Sequence, residues 1–174
     1  MLLEHAVEND FAAIIDLVNA AYRGTGVVES WNLESGILEG TRLTDSLLRE
    51  DLAAKPGAHL LLHRDPANGA IIGTVWLEPV EAGAWHLGLF TVSPALQNRQ
   101  LGRSLLGAAE DFARVRGARS IVMSVLNVRD TLIAWYERRG YARTGKKEPF
   151  PYGDDRFGRP LRDNLEFVVL EKQL

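Results

Sequence analysis

The chain has 174 residues, 46% of them hydrophobic, and its formal net charge at pH 7 is −3. This length predicts one domain spanning residues 1–174, and the apolar share is enough to build a substantial core. The slightly acidic balance argues against a broad electrostatic footprint for nucleic acid or membrane, so neither is expected as a partner. The absence of cysteine excludes disulfides, zinc–thiolate sites and a cysteine nucleophile.

The start of the chain gives no targeting signal. Residues 1–5 turn polar at once, which argues against a signal peptide. No apolar run approaches the length of a membrane span. Together with the lack of cysteine, these features lead us to expect a cytoplasmic protein.

The first half of the chain predicts a helix followed by strands joined through hairpins. Apolar residues recur at helical spacing between Phe11 and Tyr22, after a possible N-cap at Asn9 or Asp10. The predicted elements are a strand at 2–7, this first helix, a break at 23–26, an irregular stretch at 27–44, a short helix at 45–53, and strands at 59–64 and 70–78 around a turn at 65–69.

The second half alternates strands and helices, which predicts a mixed sheet with helices on its faces. The predicted elements are a strand at 85–92, a helix from about 101 ended by Gly117, a strand at 120–125, a helix at 129–139, a strand from 141, a long loop at 146–163 and a last strand at 165–171. Gly107 inside a helix costs roughly 1 kcal/mol, which leads us to expect a close packing contact there.

The strand at residues 85–92 runs through a Gly- and Arg-bearing loop into a helix, which is a physical arrangement for binding phosphate. The first turn of a helix presents unpaired N–H groups, and the helix dipole places partial positive charge there. Arg99 and Arg103 add full positive charges. The sequence therefore predicts a ligand that carries several phosphate charges.

This loop lacks both the G-x-G-x-x-G fingerprint of dinucleotide-binding domains and the Walker A pattern. Its residues Gln97-x-x-Gln100-x-Gly102 resemble motif A of the GNAT superfamily of N-acetyltransferases, whose core is Q/R-x-x-G-x-G/A. Gln100 stands where that family usually has glycine, and glycine suits a backbone that approaches a pyrophosphate closely.

A second segment resembles motif B of the same family. Asn127 follows a strand, and Leu132, Tyr136, Gly140 and Tyr141 follow the pattern A-x-x-x-Y-x-x-x-G-F/Y, with leucine in place of alanine. Gly140 can end the helix in a left-handed conformation. Because the two motifs come in the family's order and at a similar separation, the resemblance is stronger than either motif alone.

The resemblance implies the acyl-CoA N-acyltransferase fold, an α/β (α+β) fold with a central mixed sheet. Two parallel strands, here those ending at Val92 and Val125, would splay apart to admit acetyl-CoA. Its pantetheine arm would pair with the strand backbone, and its phosphates would meet the loop, with Arg99 and Arg103 at the pyrophosphate or the 3′-phosphate. The implied cofactor residues are Phe90, Thr91, Val92, Gln97, Asn98, Arg99, Gln100, Leu101, Gly102, Arg103, Ser104, Asn127 and Tyr136.

The implied reaction moves an acetyl group to an amine by direct attack in a ternary complex, without a metal. Tyr136 matches the family's general acid. An alkyl ammonium has a pKa of about 10, so a base or a water relay should remove its proton. Glu78 and Glu29 rank first for that role, with Glu34 and His86 as further candidates.

The acceptor, a small amine or a peptide, would lie opposite the pantetheine. Tyr22, Trp31, Glu34 and Tyr152 are candidates for its walls, because aromatic and acidic groups suit a cationic ligand. The aromatic segment at residues 150–157 could equally be a surface loop or a contact in a homodimer.

Three other interpretations stay open at this point. The chain could be a non-catalytic acyl-CoA sensor, which the residue Gln100 would favour. It could be a GNAT enzyme that uses a longer acyl group or acts on a protein N-terminus or lysine. It could be a nucleotide- or NAD-binding domain, although the missing glycine fingerprint and the hairpin-rich first half argue against that.

Overall fold

A computed structural model describes residues 1–26, 30, 33–34, 36–97 and 100–174. Its helices are α1 (Phe11–Arg23), α2 (Asp45–Ala54), α3 (Leu101–Arg114) and α4 (Asp130–Glu137). Its strands are β1 (Glu4–His5), β2 (Leu38–Glu39), β3 (His59–Arg64), β4 (Ile71–Pro79), β5 (Ala84–Val92), β6 (Ser120–Leu126), β7 (Ala142–Pro149), β8 (Arg159–Pro160) and β9 (Glu166–Gln173).

Seven strands form one mixed sheet in the order β1-β3-β4-β5-β6-β9-β7, with only the β5–β6 pair parallel among them. Strand side chains alternate between the two faces. Leu61 therefore packs in the cluster that includes α3 and α4 residues, whereas Leu60 and Leu62 pack in the cluster that includes α1 and α2 residues. The predicted mixed sheet flanked by helices is confirmed.

The parallel strands β5 and β6 separate in the middle of the sheet, as predicted. Their ladder joins residues 84–86 to residues 120–122 and ends at the pair His86 and Val122. On its other side, β5 carries a bulge against β4 between Gly88 and Thr91, where Leu89 has a φ of 44°. A bulge bends its strand and re-aims the neighbouring groups, so the far half of β5 turns away from β6.

Helix α3 begins directly after Gln100, which adopts a left-handed conformation with φ 60° and ψ 5°. This is the conformation that glycine adopts most readily. The first helical hydrogen bond runs from Ser104 N to Gln100 O at 3.0 Å. The N–H groups of Leu101, Gly102 and Arg103 therefore have no partner within the helix. The glycine-like geometry at this position is retained despite the side chain.

Several local predictions differ from the structure. β7 extends to Pro149, because Lys147, Glu148 and Pro149 pair with β9, so the predicted long loop is shorter. The contact expected at Gly107 was wrong, since an added Cβ would meet nothing within 4 Å. No helix in the described part of the chain is long and apolar enough to cross a membrane.

Candidate functional site

Two cavities meet at Tyr136. The helix cavity, about 420 Å³, lies between the end of β5 and the helices α3 and α4. The strand-gap cavity, about 320 Å³, lies between the separated strands β5 and β6. Tyr22, Phe90, Leu132 and Tyr136 line both. The helix cavity and the strand-gap cavity are therefore adjacent, and these four side chains lie between them.

The helix cavity gathers the phosphate-binding features that the sequence predicts. Gln100, Leu101, Gly102 and Arg103 line it with the first turn of α3. A Cβ added to Gly102 would lie 3.5 Å from the Trp135 ring, so the glycine leaves the space beside this ring open. The helix dipole and the unpaired N–H groups make this end of the cavity suited to an anion.

Arg139 adds an unsatisfied donor to the same cavity. Its guanidinium stacks on the Trp135 ring at 3.5 Å, and its Nη1 donates to the Trp135 carbonyl at 2.7 Å. Its Nε is buried and has no hydrogen-bond partner among the residues that the structure describes. Burial, together with the guanidinium groups of Arg138 and Arg103, lowers the pKa of Arg139. A buried donor among like charges indicates a place where an anion would be stabilised.

A basic groove continues from the helix cavity. Arg103, Arg138 and Arg139 line this groove of about 560 Å³, and none of the three forms an ion pair with a carboxylate among the described residues. Lys172 also lines it, but its ammonium binds Glu110 at 2.7 Å. Because these three guanidinium groups have no carboxylate partner in the described part of the chain, the groove is attractive to phosphate.

Tyr136 is 5% exposed and belongs to α4. Its ring contacts Trp135 edge-on at 5.1 Å between centroids. Its hydroxyl has no hydrogen-bond partner among the described residues, although a buried tyrosine hydroxyl usually has one. Burial raises the pKa of the Tyr136 phenol far above its usual value. The group therefore keeps its proton and has it available for a bound molecule.

The strand-gap cavity contains Glu34, which is 6% exposed. Its carboxylate binds Arg23 on one side and Arg129 at 3.2 Å on the other. Arg23 also donates to the carbonyls of Gly40 and Phe157. Glu34 therefore joins the loop after α1 to the start of α4, and its charge is balanced within the protein.

Glu78 lies in a side cavity of about 290 Å³ that adjoins the strand-gap cavity, with His86 on the wall of both. Its carboxylate accepts hydrogen bonds from Lys55 Nζ at 2.8 Å and Trp76 Nε1 at 2.9 Å. Burial raises the pKa of Glu78, but these hydrogen bonds and nearby charges outweigh burial and the net pKa is lowered. Burial lowers the pKa of His86, which keeps the imidazole neutral.

The structure brings most of the predicted cofactor residues together. Phe90, Val92 and Gln97 join the α3 residues on the wall of the helix cavity. Thr91 and Ser104 belong to the same segments but do not line that cavity, since Thr91 is buried and donates to the Leu89 carbonyl at 3.0 Å. Asn98, Arg99, Glu29 and Trp31 lie outside the described residues.

Asn127 and Tyr152 also lie outside both cavities. Asn127 donates to the Asn164 carbonyl at 3.0 Å and accepts from the Glu166 N–H at 3.2 Å, so its amide fastens β6 to the start of β9. The Tyr152 hydroxyl donates to the Arg162 carbonyl and accepts from the Leu165 N–H. Both side chains are occupied by backbone groups of the protein.

Sequence reasoning missed Arg42, Glu148 and Arg139. Arg42 and Glu148 line the strand-gap cavity, and Arg139 lines the helix cavity. Arg42 and Glu148 stand in no motif, and Arg139 stands at a variable position of the motif B pattern, so their residue types gave no signal. No group of three or more metal-ligating side chains is found in the described part of the chain.

A sequence profile for the acetyltransferase (GNAT) family matches residues 25–141. The chain belongs to this family. It is 31% identical over 113 residues to an IAA acetyltransferase of Azospirillum brasilense, covering 64% of this chain and 71% of that relative. It is also 31% identical over 98 residues to a mycothiol acetyltransferase of Beutenbergia cavernae, covering 53% of this chain and 33% of the relative. The chain thus matches about a third of the length of that second relative.

Solved structures share the fold. A ribosomal-protein-alanine N-acetyltransferase from Brucella melitensis superposes with a TM-score of 0.69 at 19% identity, covering all of both chains. A GNAT family acetyltransferase from Elizabethkingia anophelis with acetyl-CoA bound superposes with a TM-score of 0.65 at 16% identity, covering 99% of this chain and 97% of that one. At these identities the likeness establishes the fold of this chain.

Proposed function

We propose that the protein is an acetyl-CoA-dependent N-acetyltransferase that acetylates a small amine or a peptide. The observation that carries this proposal is the position of Tyr136. Its hydroxyl, which has no hydrogen-bond partner among the described residues, belongs to a side chain that lines both the cavity suited to phosphates and the second cavity between two separated strands. A proton donor at such a junction suits transfer of an acyl group from one cavity to the other.

The donor set of the helix cavity fits CoA, whose phosphates need N–H groups and cations. The amides of Leu101, Gly102 and Arg103 would hold the pyrophosphate. The guanidinium groups of the basic groove would take the 3′-phosphate, since planar guanidinium groups bind phosphate in a paired geometry. When bound, acetyl-CoA supplies an acetyl group activated as a thioester.

Tyr136 would act as the general acid. Its raised pKa keeps the proton on the phenol oxygen until a thiolate develops beside it. The chain has no cysteine that could take the acetyl group first, so the amine would attack directly.

The proton lost by the acceptor amine would go to His86, with Glu78 behind it. His86 faces the strand-gap cavity and is neutral, so its imidazole can accept a proton. Glu78 pairs with His86 across β4 and β5, which places their Cβ atoms about 5 Å apart. The Glu78 carboxylate would stabilise the protonated imidazole.

The first experiment measures acetyl-CoA and 3′-dephospho-CoA binding by calorimetry. Arg103→Gln should weaken acetyl-CoA binding about tenfold or more, because a hydrogen bond to a charged group is lost. The control is Arg114→Gln on the same helix, since Arg114 pairs with Asp111 and lines neither cavity. Equal weakening by both variants, or no acetyl-CoA binding by the wild type, would remove the cofactor assignment.

The second experiment tests the general acid with a screen of amines for CoA release. Tyr136→Phe should lower kcat about 100-fold or more while leaving acetyl-CoA affinity near wild type. Since the Tyr136 hydroxyl has no partner within the described protein, this variant should also fold normally. Tyr141→Phe is the control, because it removes a buried hydroxyl that binds Glu110, and Tyr141 lines neither the helix cavity nor the strand-gap cavity. Full activity of Tyr136→Phe would exclude this role.

A further inference from the structure

Among the described residues, Arg42 is the cation without a carboxylate partner on the acceptor side, which consists of the strand-gap cavity and the side cavity. It lines both the strand-gap cavity and the side cavity. Its guanidinium lies 5.6 Å from the centroid of the Tyr22 ring and 5.8 Å from that of Phe157. In the described part of the chain it makes no ion pair and no side-chain hydrogen bond.

The other basic residues of these two cavities are neutralised by carboxylates. Arg129 binds Glu34, and Lys55 binds Glu78 at 2.8 Å. Arg156 binds Asp51 and lies 3.8 Å from Glu50. Among the described residues, the acceptor side therefore has one guanidinium without a carboxylate partner. It also has the Glu148 carboxylate, which accepts a hydrogen bond from the Ser124 hydroxyl at 2.9 Å.

The aromatic contacts of Arg42 hold the guanidinium in place without using its N–H groups. Cation–π contacts act on the face of the guanidinium plane, whereas its donors point outward in that plane. A planar carboxylate matches this fork with two parallel hydrogen bonds. The Arg42 guanidinium is therefore positioned to bind a carboxylate rather than a further aromatic ring.

We infer that the acceptor amine carries a carboxylate, and that Arg42 binds this carboxylate and determines the specificity. This inference rests on the proposed acetyltransferase function, because it names the class of molecule that the strand-gap cavity admits. The aromatic side chains of Phe150, Phe157 and Phe167 line the same cavity. The body between the amine and the carboxylate is therefore apolar.

The experiment compares amino acids with their amides: phenylalanine with phenylalaninamide, leucine with leucinamide, and 4-(aminomethyl)benzoate with its amide. CoA release gives kcat and KM, and calorimetry in the presence of CoA gives acceptor affinity without turnover. An amino-acid amide loses its ammonium proton more readily than the acid. A preference for the acid therefore cannot arise from the basicity of the amine.

For wild type, we expect kcat/KM for the acid to exceed that for the amide about tenfold or more, as for a charge-assisted hydrogen bond. Arg42→Gln should remove this preference mainly through KM, and Arg42→Lys should restore part of it. Arg49→Gln is the matched control, because Arg49 also lies on an aromatic ring, 5.3 Å from Phe11, outside the cavities. It should keep the wild-type ratio.

Equal affinity of wild type for acids and amides, no binding of any acid, or equal losses for both in Arg42→Gln would overturn the inference. A failure of the proposed function looks different. In that case no amine releases CoA, whether or not the acids bind in an Arg42-dependent way.

Discussion

The conformation of Gln100 gives a prediction that can be worked out from the backbone. A residue with a Cβ pays about 1–2 kcal/mol for the left-handed region. Glycine avoids this strain but loses roughly 0.5–1 kcal/mol more conformational entropy on folding. The Gln100→Gly variant should therefore be more stable by about 0.5–1 kcal/mol. For a chain of this size, that corresponds to a rise in Tm of about 2 °C.

The assay is thermal and urea unfolding of four variants at this position. Gln100 is exposed and its side chain makes no capping hydrogen bond, so backbone strain should dominate the differences. Glycine should be the most stable and asparagine next, because asparagine tolerates the left-handed region. Alanine should match wild type, and valine should be the least stable because β-branched residues fit this region worst.

The same variants connect the loop to ligand binding. Glycine keeps the orientation of the N–H groups that follow residue 100, so its acetyl-CoA affinity should stay near wild type. Valine should weaken binding because relief of its strain would move the first turn of α3. A glycine variant less stable than alanine, or a valine variant as stable as glycine, would refute the strain argument.

Three further predictions concern other parts of the fold. Glu34→Gln should lower the free energy of unfolding by about 3–5 kcal/mol in urea titrations, because two buried arginines lose their counter-charge. Gly107→Ala should raise the free energy of unfolding by about 0.5–1 kcal/mol, since the added methyl enters open space within a helix. The lowered pKa of His86 means that the unfolded chain binds more protons, so stability should fall as the pH drops below 6.5. His86→Gln should reduce this slope without removing it, because the pKa of His59 is lowered too.

What the sequence could predict lies in contiguous segments. The turn between β5 and α3 and the position of Tyr136 four residues before Gly140 both follow from local spacing. The mixed sheet follows from hairpins early in the chain and helical crossovers later. In each case the residues that cooperate are neighbours along the chain or repeat at a regular period.

The features that the sequence could not predict depend on contacts between distant segments. Arg42 reaches the cavities from the loop before α2, and its lack of a counter-charge is visible only once its neighbours are placed. Asn127 was predicted to contact the cofactor from its match to motif B, and Tyr152 to contact the acceptor from its aromatic side chain. In the fold, their polar atoms bind backbone groups up to 39 residues away. The residue type of a polar side chain does not reveal whether it will bind a ligand or a distant backbone group of the protein.

The gap between β5 and β6 is maintained by side chains that replace ladder hydrogen bonds. At the β5 bulge, the Thr91 hydroxyl donates to the Leu89 carbonyl at 3.0 Å, and the Tyr22 hydroxyl donates to the Phe90 carbonyl at 3.1 Å. Buried backbone carbonyls without partners are costly, so these hydroxyls stabilise the open arrangement. Tyr22, which the sequence predicts to line the acceptor site, thus holds β5 in position through this hydrogen bond. Because a carbonyl oxygen has two lone pairs, the Phe90 carbonyl can still accept a hydrogen bond from a molecule bound in the gap.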